Sequence, residues 1–163
     1  MKTLLLVRHA KSSWSYPELP DEQRPLLEKG KKRTKKVIDY LLENDVRVDL
    51  IITSHAVRAH ETARIIAHAL GFPEDKIIVS KQVYHASAEK LYDQFFDLSD
   101  DIDTIMMVGH NPTFTNFANQ FLEEKIDWLP TSGIVSITFK TDFWINLPMA
   151  ARQTNFVVAP KEL

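Results

Sequence analysis

The chain contains no cysteine among its 163 residues. This absence excludes disulfides, thiolate catalysis and cysteine-ligated zinc sites. It is also compatible with a reducing compartment, so we expect a cytoplasmic protein. Long hydrophobic runs are lacking too, because the apolar run near the N-terminus covers only residues 4–7. Such a run is too short for a signal-peptide core or a membrane span, and we expect no membrane partner.

A charge excess of one sign is also missing. Twenty Lys and Arg residues nearly balance 22 Asp and Glu residues, which leaves a formal net charge of -2. Because no overall field favours nucleic acid, we expect no nucleic-acid partner and look for a local site instead. The basic run between Lys31 and Lys36 is most simply the solvated face of a helix, and nucleic-acid binding there is the weaker alternative.

Short apolar runs alternate with helical patterns along most of the chain, and the hydrophobic content of 44% fits one domain over residues 1–163. The runs lie at residues 4–7, 50–53, 77–79 and 104–108, and helical spacing follows each of them. This alternation predicts parallel strands joined by helices. Period-two patterns at 135–139 and 155–158 predict two more strands near the edge of the sheet. We therefore predict an α/β fold, a three-layer α/β/α sandwich with a mostly parallel central sheet.

Basic residues and histidines follow three of the predicted strands. Arg8 and His9 end the first strand, Arg58 lies near the start of the helix after the second, and His110 follows the fourth. Ligands of open α/β sheets bind beyond the carboxyl ends of the strands. A helix that starts with Asn111 as its cap and Pro112 as its first residue would add backbone N–H groups there. The pattern predicts a site for an anion such as phosphate.

Five motifs carry a resemblance to a known family. They are RHAKSSW at 8–14, RPL at 24–26 with Gly30, SHAVRA at 54–59 followed by ETA at 61–63, VGHNP at 108–112 and PTSG at 130–133. In type, order and spacing they resemble the histidine phosphatase superfamily, which has the phosphoglycerate-mutase-like fold. Within it, the chain is most similar to the short, SixA-type phosphohistidine phosphatases.

The resemblance implies a role for each of the four central residues. His9 would attack phosphorus and become a phosphohistidine, while Arg8 and Arg58 would hold the phosphoryl oxygens. His110 would donate a hydrogen bond to the same oxygens. The resemblance also implies that no metal and no cofactor is required, since the arginines supply the positive charge.

The proton donor to the leaving group stays open at the level of sequence. His85 stands near the position where larger family members carry an acid, and Glu89 follows at the start of a predicted helix. Either residue could donate the proton. A third alternative is that no donor is needed, because the nitrogen leaving group of a phosphohistidine departs readily.

Four further residues are candidates for contact with phosphate or substrate, namely Ser12, Arg24, Asn111 and Thr131. Ser12 and Thr131 could equally cap loop turns. Arg24 is more simply a surface arginine where the chain enters a helix. Among the aromatic residues, Trp14 is the best candidate for the mouth of the pocket.

These expectations together predict a cofactor-independent phosphatase. Its partner would be a phosphorylated protein carrying phosphohistidine, or a small phosphate compound. The chain is short for a mutase of this fold, because mutases carry insertions that enclose the substrate between two transfers. The alternative is a phosphate-binding or phosphopeptide-binding module with weak or no turnover.

Overall fold

Six strands form one sheet at the centre of the protein, whose computed structural model describes all residues from 1 to 163. They are β1 (Lys2–Arg8), β2 (Leu50–Ser54), β3 (Ile78–Ser80), β4 (Thr104–Gly109), β5 (Ile134–Phe139) and β6 (Arg152–Val158). Their order across the sheet is β3-β2-β4-β1-β5-β6. Neighbours among the first four strands are parallel, whereas β5 is antiparallel to both β1 and β6. The prediction of a mostly parallel sheet is therefore confirmed.

Four α-helices connect the strands, and they are α1 (Glu28–Glu43), α2 (Val57–Leu70), α3 (Ala88–Asp93) and α4 (Thr113–Asn119). Helix α2 ends at Gly71, which adopts the left-handed conformation with a φ of 73°. Glycine has no Cβ that would oppose this conformation, so the predicted helix stop is confirmed. No helix is long and apolar enough to cross a membrane.

Both faces of the sheet are buried, and β1 shows this most clearly. Leu4 and Leu6 belong to the same apolar cluster as Phe114 of α4. Leu5 and Val7, which alternate with them, belong to a second cluster with residues of α1 and α2. Successive side chains of a strand point to opposite faces, so an uninterrupted apolar run is typical of a strand covered on both sides. The helices thus form layers above and below the sheet, as predicted.

The strand register brings the carboxyl ends of three strands together. Arg8 at the end of β1 pairs with Gly109 at the end of β4, and Thr53 of β2 pairs with Val108 of β4. The residues that follow these strands therefore emerge side by side. This arrangement positions the candidate site.

Two sequence predictions about the elements need correction. Pro112 is not the first residue of α4 but its N-cap, whereas the side chain of Asn111 does cap the helix start, since its oxygen accepts a hydrogen bond from the N–H of Thr115 at 3.1 Å. The alternating strand was expected to be half-buried, yet Ser136 of β5 is only 3% exposed. Strand β6 covers β5 at the sheet edge, and Asn155 donates a hydrogen bond to the Ser136 hydroxyl.

Candidate active site

His9 lies immediately after β1 and is almost completely buried, with 7% of its surface exposed. Its backbone N–H donates to the carbonyl oxygen of Gly109, which ties the residue to the neighbouring strand. The ring Nδ1 lies 2.7 Å from the carbonyl oxygen of Ala10. A carbonyl oxygen can only accept, so Nδ1 carries the proton. The lone pair of the ring is therefore on Nε2.

The surroundings of His9 favour its neutral form. Burial lowers its pKa from 6.5 to about 4, and the charges of Arg58, Arg8 and Arg24 add to this effect. The hydrogen bond to Ala10 works in the opposite direction but is outweighed. A neutral imidazole keeps the lone pair that a nucleophile needs. At neutral pH, His9 is thus prepared to attack an electrophile through Nε2.

Two arginines at the site keep unsatisfied donors. Arg8 donates from Nη1 to the carbonyl oxygen of Leu129, and its guanidinium lies over the ring of Trp128. Arg58, in the first turn of α2, donates from Nη1 and Nη2 to the backbone oxygen and carboxylate of Asp21, at 2.7 and 2.9 Å. The Nε of each arginine is buried and has no partner. Since an unpaired buried donor is costly, both groups are suited to an incoming acceptor such as an oxyanion.

His110 follows β4, and its ring centre lies 5.2 Å from that of His9. Its Nε2 is 2.8 Å from the hydroxyl of Ser54, which already accepts a bond from the N–H of Ala56. The hydroxyl can direct its proton to Nε2, and in that tautomer the proton of His110 lies on Nδ1, a buried atom without a partner. Burial, followed by the effect of His9, lowers the pKa of His110 to about 2. In this tautomer His110 is a neutral ring with one free donor.

A pocket of about 430 Å³ opens over these side chains. Its lining consists of Arg8, His9, Lys11, Ser12, Trp14, Arg24, Arg33, Arg58, His110, Asn111, Trp128 and Thr131. Five of these residues are cations and none is a carboxylate, so the pocket favours anions. All four central residues predicted from sequence line it, as do the four predicted contact residues. The pocket lies at the strand ends where the sequence predicted a site for an anion, and its role stays a prediction.

Arg24 occupies a position that differs from its simplest sequence interpretation. It is only 8% exposed, so the alternative of a surface arginine is wrong. Its guanidinium lies 3.5 Å from the ring centre of Trp14, a cation–π contact that shields it from solvent. Trp14 itself remains exposed at the edge of the pocket, where it was predicted.

The two candidate proton donors do not line the pocket. His85 is exposed and its ring lies tilted against that of Tyr84, with ring centres 4.0 Å apart. Glu89 is exposed in the first turn of α3. Neither side chain is among the residues that line the pocket with the arginines.

Sequence reasoning missed Asp21, which lies in the loop over the strand ends. Besides Arg58, its carboxylate accepts from Arg24 at 3.2 Å and from the hydroxyl of Tyr84. Burial alone would raise the pKa of Asp21, but these hydrogen bonds and the charges of the arginines lower it to about 2. Asp21 is therefore ionised and orients two pocket arginines. Its spacing of three residues from Arg24 was the only signal for it in the sequence.

Three other motif residues support the backbone around His9. Thr62 of α2 accepts a hydrogen bond from the N–H of Ala10 at 2.9 Å. Ser132 donates its backbone N–H to the carbonyl oxygens of Arg8 and His9. Gly30 of α1 packs so closely against the loop that a Cβ would lie 2.4 Å from the backbone oxygen of Lys11. These residues hold the backbone that follows β1 in place without lining the pocket.

The family comparison agrees with this fold and with the residues of the pocket. Residues 4–82 match the histidine phosphatase superfamily, branch 1. The chain belongs to this superfamily. The match covers β1, the loop with Asp21 and Arg24, and β2 with the start of α2. Three of the four central residues, all but His110, lie within it.

The chain is also similar to individual proteins and solved structures. It is 35% identical to an uncharacterized chloroplastic protein of Arabidopsis thaliana over 118 residues, which are 68% of this chain and 54% of the plant protein. The chain thus spans about half the length of that relative. Its fold is similar to that of a protein from Agrobacterium tumefaciens assigned as the phosphohistidine phosphatase SixA, with a TM-score of 0.81, 25% identity and 98% of each chain covered. It is also similar to the protein histidine phosphatase SixA complexed with tungstate, with a TM-score of 0.82, 16% identity and 98% of each chain covered.

Proposed function

We propose that the protein is a cofactor-independent phosphatase that transfers a phosphoryl group to Nε2 of His9 and then to water. The observation that carries the proposal is the state of His9. It is buried, neutral and oriented by Ala10, and its free Nε2 belongs to a pocket with five cations and no carboxylate. This combination supplies a nucleophile and a site for the charge of the phosphoryl group.

In the first step, the Nε2 lone pair of His9 forms a bond to phosphorus while the bond from phosphorus to the leaving group breaks. The leaving group keeps the electron pair of that bond and takes a proton from water. Arg8 and Arg58 offer their unpaired Nε donors to the phosphoryl oxygens, and His110 offers its Nδ1–H. Charge-assisted hydrogen bonds of this kind stabilise the charge that these oxygens carry in the transition state.

In the second step, water attacks the phosphorus of phospho-His9 and the bond between phosphorus and Nε2 breaks. The electron pair returns to Nε2, and one proton of the attacking water passes to the released phosphate. The Nδ1–H stays on its bond to Ala10 throughout. His9 therefore ends the cycle in the neutral form in which it began.

We infer that a phosphohistidine on a protein suits the site better than an alkyl phosphate ester. No carboxylate lines the pocket, and the nearby Asp21 is ionised, so no carboxyl group of the site is in the right state to protonate a poor leaving group. When the other ring nitrogen of the phosphohistidine is protonated, the ring departs as neutral imidazole, which is a good leaving group because its conjugate acid has a pKa near 6.5. The similarity to a histidine phosphatase that binds tungstate, a tetrahedral oxyanion like phosphate, also supports a phosphorylated substrate.

The test is to trap the intermediate. Enzyme mixed with radiolabelled phosphohistidine substrate and denatured in alkali should carry a base-stable, acid-labile phosphate, also when EDTA is present. The label should be absent from His9→Ala and retained by His68→Ala, which removes an exposed histidine of α2.

Circular dichroism of both variants verifies that the fold is intact. Label retained by His9→Ala would overturn the assignment of the nucleophile. An unlabelled wild type that binds the substrate without turnover would instead identify a phosphate-binding module.

A further inference from the structure

A second basic pocket adjoins the active-site pocket. It has a volume of about 330 Å³ and is lined by Arg33, Lys36, Pro130, Thr131, Pro160 and Lys161. Two of these residues, Arg33 and Thr131, also line the active-site pocket. The two pockets are therefore neighbours that share a wall, and neither has a carboxylate in its lining.

The cations of the second pocket have no ion-pair partner. Arg33 and Lys36 lie three residues apart on one face of α1, and Lys161 comes from a 3₁₀ turn that contacts this helix. None of them forms a salt bridge, whereas Lys31 of the same helix pairs with Glu28 at 3.3 Å. The basic run of α1 is thus not a uniform solvated face. Part of it contributes to a concave site.

The charges around the shared wall repel one another. Lys11, which lines the active-site pocket, has a pKa below its ordinary value, mainly because of the nearby charge of Lys29, to which Arg33 adds a smaller effect. Accumulated positive charge without an anion raises the energy of the free protein, and a bound anion relieves it. The positive charges beside the active-site pocket therefore also favour a bound anion, in addition to the phosphoryl group at His9.

We propose that the second pocket, formed by Arg33, Lys36 and Lys161, binds a second anionic group of the substrate while its phosphoryl group reacts at His9. The inference rests on the proposed function and adds a feature of the substrate. The group is a phosphoryl or carboxylate group, because both accept hydrogen bonds from lysine and arginine. Since Lys36 and Lys161 are exposed and lie outside the lining of the active-site pocket, they contribute to binding and selectivity rather than to the chemical step.

The test measures binding without turnover, by calorimetry at fixed ionic strength. The probes are methylphosphonate, with one anionic group, and linear bisphosphonates whose two groups are separated by one to six methylene groups. We expect at least one linker length to bind roughly tenfold more tightly than methylphosphonate, the gain given by two exposed ion pairs. The double variant Lys36→Gln/Lys161→Gln should lose this preference and bind methylphosphonate as the wild type does.

A matched control removes the same charge elsewhere. Lys76 and Lys140 are exposed and lie outside both pockets, before β3 and after β5. The variant Lys76→Gln/Lys140→Gln should keep the preference for bisphosphonates. If the preference for bisphosphonates decreases equally in both double variants, it depends on net charge alone, and the proposed subsite is wrong.

A second set of probes identifies the source of the group. Phosphohistidine peptides with either Glu or Gln next to the phosphorylated residue are compared by kcat/KM in the wild type and in Lys36→Gln/Lys161→Gln. A preference for Glu that disappears in the variant places the group on a protein, and a preference for bisphosphonates without a preference for Glu places it on a small molecule. The absence of both preferences in the wild type overturns the proposed subsite. The phosphonates are not hydrolysed, so the binding measurement is independent of whether His9 is phosphorylated, whereas the peptide comparison requires turnover.

Discussion

The protonation state of His9 is the property on which the proposed mechanism depends most. In the free protein its pKa should be about 4, because burial and three arginines disfavour the imidazolium form. The shift from 6.5 corresponds to about 3 kcal/mol in favour of the neutral ring, at about 1.4 kcal/mol per pH unit. The bond to Ala10 further predicts that the neutral ring carries its proton on Nδ1.

Nuclear magnetic resonance can measure both properties. Long-range ¹H–¹⁵N spectra distinguish a protonated from a bare ring nitrogen, and the signals of His9 are those missing from His9→Ala. From pH 8 down to pH 5.5 they should show a protonated Nδ1 and a bare Nε2, without titration. A midpoint near 6.5, or a proton on Nε2, would refute the assignment of His9 as a nucleophile prepared in advance.

The same shift predicts how stability depends on pH. The unfolded chain takes up a proton at each histidine below pH 6.5, whereas folded His9 does so only near pH 4 and folded His110 only near pH 2. Lowering the pH from 6.5 towards 4 should therefore reduce the free energy of unfolding by about 1.4 kcal/mol per pH unit for each buried histidine. Asp21 does not contribute in this range, because its contribution is lost only below pH 3.8. Urea unfolding measures the slope, which should be smaller in His9→Gln, and an unchanged slope in that variant would contradict the predicted pKa.

Two further predictions concern turnover. Asp21→Asn should keep kcat/KM for an aryl phosphate within about threefold, since an amide oxygen still accepts a hydrogen bond from Arg58. Asp21→Ala should lower kcat/KM roughly tenfold, because the contact with Arg58 is lost. Equal losses in the two variants would show that the charge of Asp21 matters and not its orientation of Arg58. Across a series of aryl phosphates, kcat/KM should decrease steeply as the leaving-group pKa rises, because no protonated acid lines the pocket, and a flat dependence would reveal a donor.

The layers of the fold were predictable because their signals are local. Leu4 to Val7 are apolar without interruption, which indicates a strand covered on both sides, and Gly71 marks the end of a helix by its own backbone freedom. The order β3-β2-β4-β1-β5-β6, in contrast, could not be predicted. It depends on pairings between segments far apart in sequence, for which the apolar runs are too similar to specify a neighbour.

The residues of the candidate site also fall into those that local sequence signals predict and those that they do not. Arg8, His9, Arg58 and His110 follow directly from strand ends, whose position at one edge is a property of parallel sheets. Asp21 and the buried position of Arg24 depend on how a long loop folds back over this edge. The burial of Arg24 comes from Trp14, ten residues earlier in the same loop. Contacts of this kind have no periodic signature, so the sequence favours the wrong alternative for Arg24.

The position of Asp21 also explains why the site lacks a protonated acid. A carboxylate beside the pocket would be the natural proton donor if it could hold a proton at neutral pH. Arg58 and Tyr84 instead keep Asp21 ionised, so that it orients the residues that bind the phosphoryl group. A site arranged in this way has no carboxyl group to protonate a poor leaving group, but its arginines are held in fixed orientations. This is the basis on which we propose phosphorylated nitrogen, rather than an alkyl ester, as the substrate.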